Sequence, residues 1–164
     1  MKKIANRVVF GRDLGITLLI VLAIVLTAAF ACESGGDKVP PDDELQSLVK
    51  GSTSELANAI DTEDFSTLYA NSSKDFQSTY TLAQTKDAYK TYIDNKDQVL
   101  PSLRSASSGA ATFSPPASIR SEKGLNILVA SGDFVSKPHP VHFDYEYVWR
   151  DGGWKLLKLV LKVG

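Results

Sequence analysis

The sequence predicts an α+β protein: three N-terminal helices and then an antiparallel sheet, preceded by one membrane-targeting helix. Three observations predict it. An uninterrupted apolar run from Leu14 to Ala31 follows a basic lead. Apolar residues recur at helical spacing from Asp42 to about Leu100. Beyond Ser105 the period becomes alternating, most clearly in Val141 to Arg150 and Trp154 to Val163. At 164 residues the chain has room for a targeting segment and one domain of about 120 residues.

Residues 1–32 read as a signal or membrane-anchor segment. Lys2, Lys3, Arg7 and Arg12 against Asp13 give it a charge of +3, which leaves −4 on the rest of a chain whose total is −1. Basic residues stay on the cytoplasmic side, so the domain is expected on the outer side of a bacterial-type cytoplasmic membrane, periplasmic or extracellular. Three fates of the segment are compatible with its residues. Ala29-Phe30-Ala31-Cys32 resembles a lipoprotein processing site, in which small residues precede a cysteine that is lipidated and becomes the new N-terminus, although Leu and a small residue usually stand where Ala29 and Phe30 do. The same residues satisfy the A-x-A rule of ordinary signal cleavage. Without cleavage, the 18 residues from Leu14 to Ala31 reach the lower limit of a spanning helix. The membrane partner is therefore engaged either through residues 14–31 or through lipidated Cys32.

Residues 33–41 are Gly, Ser, Pro and charge, the composition of a flexible linker. The domain is expected over 42–164. Asp42 and Asp43 suit a helix N-terminus, and Leu45, Leu48, Val49, Leu56 and Ile60 fall on one face of a helix to about Asp61. Gly51 weakens that helix. A second begins at Thr62, burying Phe65, Leu68 and Tyr69. A third runs from about Leu82 to Leu100, presenting Leu82, Tyr89, Tyr92, Ile93 and Leu100, and is expected to end at Pro101. Ala111 to Ser114 and Ala117 to Ser121 read as a strand interrupted at Pro115 and Pro116, and Leu125 to Val135 as the next.

The final hairpin permits a register argument. A two-residue loop would put Lys158 and Lys162 on the face of Val141, Phe143, Tyr145, Tyr147 and Trp149, which conflicts with burial. A three-residue loop, Asp151-Gly152-Gly153 with Gly153 left-handed, instead pairs Arg150 with Trp154 and Glu146 with Lys158. Because register follows the hydrophobic pattern, the second version is expected. It sends Val148, Trp154, Leu156 and Val160 to the face away from the helices, ringed by Glu146, Arg150, Lys158 and Lys162.

Three helices followed by antiparallel strands, with Asp64-Phe65 opening the second helix and Tyr147-x-Trp149-x-Asp151-Gly152-Gly153-Trp154-Lys155-Leu156 at the end, resemble the nuclear transport factor 2-like superfamily over about residues 42–164. The resemblance implies a cone in which a strongly curved sheet wraps the helices, with a convex side often used for dimerisation. It also implies a range of roles, from isomerases and dehydratases to ligand-binding and accessory domains, among which the fold does not choose.

Composition narrows the chemistry. The mildly acidic, interspersed surface offers no basic stripe for nucleic acid. Cys32 is the only cysteine, so neither an intrachain disulfide nor a cysteine-based zinc site can form. His142-x-Asp144-x-Glu146 projects from one strand face, as a metal or proton site would, yet Glu146 opposite Lys158 reads as a solvated cross-strand pair. No metal, cofactor or catalytic residue is assigned. The inward positions of the last two strands hold no carboxylate or histidine, which leaves an isomerase- or hydratase-type enzyme without its proton carriers unless Asp64 or Asp94 reaches in. Tyr145 and Tyr147 are candidate ligand-binding residues, and equally core residues with satisfied hydroxyls. The expectation is a membrane-tethered binding or accessory domain that docks on a protein partner or a second copy through Val148, Trp154, Leu156 and Val160. The alternative is a small-ligand carrier or enzyme using the cone interior.

Overall fold

The computed structural model describes residues 36–164. The expected targeting helix and Cys32 lie outside the described residues. Among the described residues, no helix is long and apolar enough to cross a membrane. Part of the expected linker is laid against the domain: Gly36 and Pro40 are buried, and a Cβ on Gly36 would stand 2.5 Å from Trp149 Cβ. Only a residue without a side chain lets the backbone lie this close to the indole.

The helical part is α1 (Asp42–Thr62), α2 (Ser66–Asn71), α3 (Lys74–Thr79), α4 (Leu82–Ala88), α5 (Lys90–Asp94) and α6 (Lys96–Ser108). Helix α1 has no side-chain N-cap, but Asp42, Asp43 and Glu44 fill its first turn, where carboxylates oppose the helix dipole. Its buried stripe contains the expected Leu45, Val49, Leu56 and Ile60. It ends at Glu63, whose left-handed φ of 57° turns the chain toward α2. Phe65 and Leu68 are buried as expected. Helix α3 was not foreseen.

The long third helix is corrected to three segments. The chain restarts at Tyr89 and Asn95, whose carbonyls accept from Ile93 and Val99 respectively. Pro101 lies inside α6 instead of ending a helix. A proline removes one rung and displaces the carbonyl four residues back. Here that carbonyl belongs to Asp97, in the first turn of α6, so the disturbance falls at the helix start. Leu82, expected to be buried, is 41% exposed.

The sheet comprises β1 (Ala111–Phe113), β2 (Ser118–Glu122), β3 (Leu125–Phe134), β4 (Val141–Arg150) and β5 (Gly153–Val163). It is antiparallel and open, in the order β1-β3-β4-β5, with β2 pairing a separate stretch of β3. β1 and β2 are the two halves of the expected proline-broken strand. Gly132 of β3 lies against Thr112 of β1, where a Cβ would collide with the Thr112 carbonyl.

The outer edges of β5 and β1 carry hydrogen bonds from the helical part of the chain. On β5, the Leu156 carbonyl accepts from Ser73 N at 2.8 Å. Those of Leu159 and Leu161 accept from the hydroxyls of Tyr89 and Tyr92 at 2.7 and 2.6 Å. On β1, the Gln46 amide brackets Ala111, donating to its carbonyl at 2.7 Å and accepting from its N–H at 2.9 Å. Unpaired strand edges invite association, and these bonds occupy them.

The terminal hairpin corrects the expected register. Arg150 pairs with Gly153, so the loop is Asp151 and Gly152 alone, at φ 52° and 75°. Two left-handed residues of sequence Asp-Gly are the favoured composition of a type I′ turn, whose twist matches the strands. Trp149 then opposes Trp154, and Tyr147 opposes Leu156. Between Glu146 and Tyr147 the register shifts, leaving Leu157 unpaired as a bulge and returning Lys158 opposite Glu146. Trp154 and Leu156 therefore share the inner face with Tyr145 and Tyr147, and both are buried in the core.

Candidate functional site

Strand β4 supplies a row of inward aromatic residues, and α1 supplies the hydroxyls that receive two of them. Thr53 Oγ1 donates to the Val49 carbonyl at 2.8 Å. Its single proton is then committed, so the 2.9 Å contact with Tyr145 is a hydrogen bond donated by the tyrosine. Tyr145 is completely buried, and burial pushes its hydroxyl above the ordinary value. It is a core residue with a satisfied OH. Tyr147 differs: its hydroxyl shares a 2.9 Å hydrogen bond with Ser52 Oγ, and the residue, though buried, borders a cleft. Burial, with a contribution from the Glu55 carboxylate, pushes this hydroxyl up too, so both tyrosines are neutral hydrogen-bonding groups.

The cleft runs between α1 and the terminal hairpin and has a volume of about 380 Å³. Glu44, Ser47, Leu48, Gly51, Ser52 and Glu55 form its helical wall. Each has another of the set three or four residues away, which is one face of a helix over three turns. Tyr147, Trp154, Lys155 and Leu156 form the opposite wall, and Asn71 closes one end. Asn71 Nδ2 donates to Glu55 Oε1 at 2.8 Å, fixing that carboxylate at the rim.

The four residues expected to dock a partner do not share a surface. Trp154 and Leu156 face inward. Val148 is on the outer face but 1% exposed, across the ladder from the buried Ile127. Val160 alone is exposed, at 40%, among charges. The correction follows from the bulge, which makes the strand change parity at Leu157.

The outer face around it is a lattice of ion pairs. Lys158 Nζ lies 2.7 Å from Asp144 and 3.6 Å from Glu146. Arg120 reaches Glu146 at 3.1 Å, and His142 meets Asp133 at 3.1 Å. His142 thus engages Asp133, whereas Asp144 and Glu146 share Lys158 and Glu146 also reaches Arg120. Among the described residues, no three His, Cys, Asp or Glu side chains are placed to hold a metal. Asp64 accepts from Ser66 N at 2.9 Å at the start of α2, and Asp94 pairs with Lys90 at 2.9 Å. Both are exposed, Asp64 in the connection before α2 and Asp94 at the end of α5.

Comparison with known proteins found no matching family model, no matching curated protein and no matching solved structure.

Proposed function

We propose that this chain is a binding protein whose domain, held at the outer face of a bacterial-type cytoplasmic membrane by its N-terminal segment, receives a small ligand in the cleft between α1 and the terminal hairpin. The observation that carries this reading is Gly51. A glycine inside a helix costs roughly 0.5–1 kcal/mol relative to alanine. Packing does not demand it, because a Cβ at this position would meet nothing within 4 Å. What the missing side chain does is leave the cleft open, between Ser47 and Leu48 on one side and Glu55 on the other. A glycine here keeps the cavity accessible at a modest cost in helix stability, which fits a binding role. The resemblance to the nuclear transport factor 2-like superfamily, which includes ligand-holding domains, is consistent with this role.

Gly51→Phe tests the reading. With open space around the position, a ring is accommodated within the cleft without displacing the core. Wild-type and variant chains are purified from their native membrane and their bound small molecules compared by native mass spectrometry. A ligand carried by the wild type and absent from an equally stable Gly51→Phe chain supports the reading. Identical spectra overturn it.

The tether carries its own test. If Cys32 is the lipidated N-terminus, Cys32→Ser accumulates in the membrane as full-length precursor. Normal processing of that variant would establish ordinary signal cleavage instead.

A further inference from the structure

Resting on the cleft assigned above, we infer that its ligand is a small organic cation of the alkylammonium type. The charges facing the cleft are two carboxylates, Glu44 and Glu55, against one ammonium, Lys155. Lys155 pairs with Val148 on the outer face, whereas Trp154 and Leu156 on either side of it point inward. Glu55 is half-buried, with Oε1 held by Asn71 at 2.8 Å, and the structure gives Oε2 no partner among the described residues. A carboxylate pinned at one oxygen is oriented in advance for an N–H donor at the other.

The opposite wall adds the second requirement. Trp154, 8% exposed, brings part of its indole to the same cleft, and a cation beside an indole is attracted by its quadrupole. An anion would meet two carboxylates against one ammonium there, a net like charge. A neutral apolar guest would strip water from Glu55 without replacing its hydrogen bonds, which is costly for an ionised group. Only a cation with an apolar body satisfies the carboxylates and the indole together. A cavity of about 380 Å³ stands near the lower end of the range for small-molecule sites, so the ligand is small.

The chain has two tryptophans: Trp154 lines the cleft, and Trp149 stacks edge-on against it at 5.4 Å. Intrinsic fluorescence of the full chain in lipid nanodiscs therefore reports the site directly. The probes are butylamine and propylamine, with butyrate and butanol as the anionic and neutral counterparts. We expect a saturable change with at least one of the amines. It should weaken by about tenfold or more in Glu55→Gln, the scale of a lost charge-assisted hydrogen bond, and disappear in Gly51→Phe. Glutamine at 55 preserves the contact with Asn71, so the variant removes charge and little else. Glu44→Gln gives a second, smaller loss. Saturation by butyrate or butanol in place of the amines, or a flat response to both amines, overturns the cation assignment. The mass-spectrometric comparison of Gly51→Phe is read independently, so failure of the ligand class and failure of the cleft are separate outcomes.

Discussion

Trp149 and Trp154 stand opposite each other across the terminal hairpin, ring centroids 5.4 Å apart and planes 83° apart. This edge-to-face contact requires both indoles on the inner face, and it identifies Trp154 as a core residue. Trp154→Ala is accordingly expected to cost about 3–5 kcal/mol, as for other large buried aromatics, measured by urea unfolding of the domain. Self-association should be unchanged. A variant of wild-type stability that loses a partner would return Trp154 to the surface.

The turn beneath that pair makes a sharper distinction. Gly152 has φ 75° and Gly153 is the first residue of β5. Left-handed backbone costs an alanine roughly 1–2 kcal/mol, so Gly152→Ala should destabilise by about that amount. Gly153→Ala should be neutral or slightly stabilising, since a Cβ there meets nothing within 4 Å. The three-residue loop demands the reverse order, and thermal unfolding of the two variants decides between them.

How far the sequence was legible follows from that same hairpin. A three-residue loop and a two-residue loop followed by a one-residue bulge contain the same number of residues between Glu146 and Lys158. Both place those two opposite each other, and the sequence pattern beyond Leu157 is blind to the choice. Leu156 and Leu157 are adjacent and apolar, so either parity leaves a leucine facing the core. The parity of Trp154 and Leu156 thus depended on turn geometry, not on hydrophobic pattern. The alternating strands and the stripe of α1 were legible because burial imposes their periods. The helix breaks at Tyr89 and Asn95 were not, because neither residue is a strong breaker. The cleft was hidden for a different reason. Glu44 and Glu55 read as ordinary solvated positions on a helix, and their spacing with Ser47, Gly51 and Ser52 acquires meaning only when the hairpin lies across that face. Gly51 was the available signal.

The outer-face lattice predicts a pH response. The hydrogen bond from Lys158 holds the Asp144 carboxyl below its ordinary range, with Ser131 adding to the effect against a partial opposing cost of burial. A carboxyl depressed in the folded state stabilises the fold at pH above its unfolded value, near 3.9, and that contribution is lost as pH falls through the folded value. Asp144 and Lys158 side chains are 33% and 42% exposed, so solvent screening limits the pair to about 0.5 kcal/mol. Asp144→Asn should therefore lower stability slightly at pH 7 and by progressively less below about pH 4. Denaturant titrations at the two pH values check it; an equal loss at both would mean that the carboxylate's charge contributes nothing.

The sheet edge offers the last test. Tyr89 and Tyr92 place their hydroxyls on the Leu159 and Leu161 carbonyls of β5, the outermost strand. Tyr89 is largely buried, and burial pushes its hydroxyl well above the usual value, so it remains a neutral donor. Replacing either with phenylalanine keeps the ring over the edge and strands a carbonyl beneath it. Each such change is expected to cost about 0.5–1.5 kcal/mol, the net worth of a hydrogen bond to a partly buried acceptor. Association should not follow, because the ring still blocks approach. Replacing both with alanine removes ring and hydroxyl together and presents the edge to another chain, which is the condition for strand addition. The double phenylalanine variant should sediment like wild type while unfolding at lower denaturant. The double alanine variant should associate with rising concentration. If the alanine pair stays in the wild-type association state with its fold intact, the edge is guarded by the backbone contact from Ser73 and not by the tyrosines.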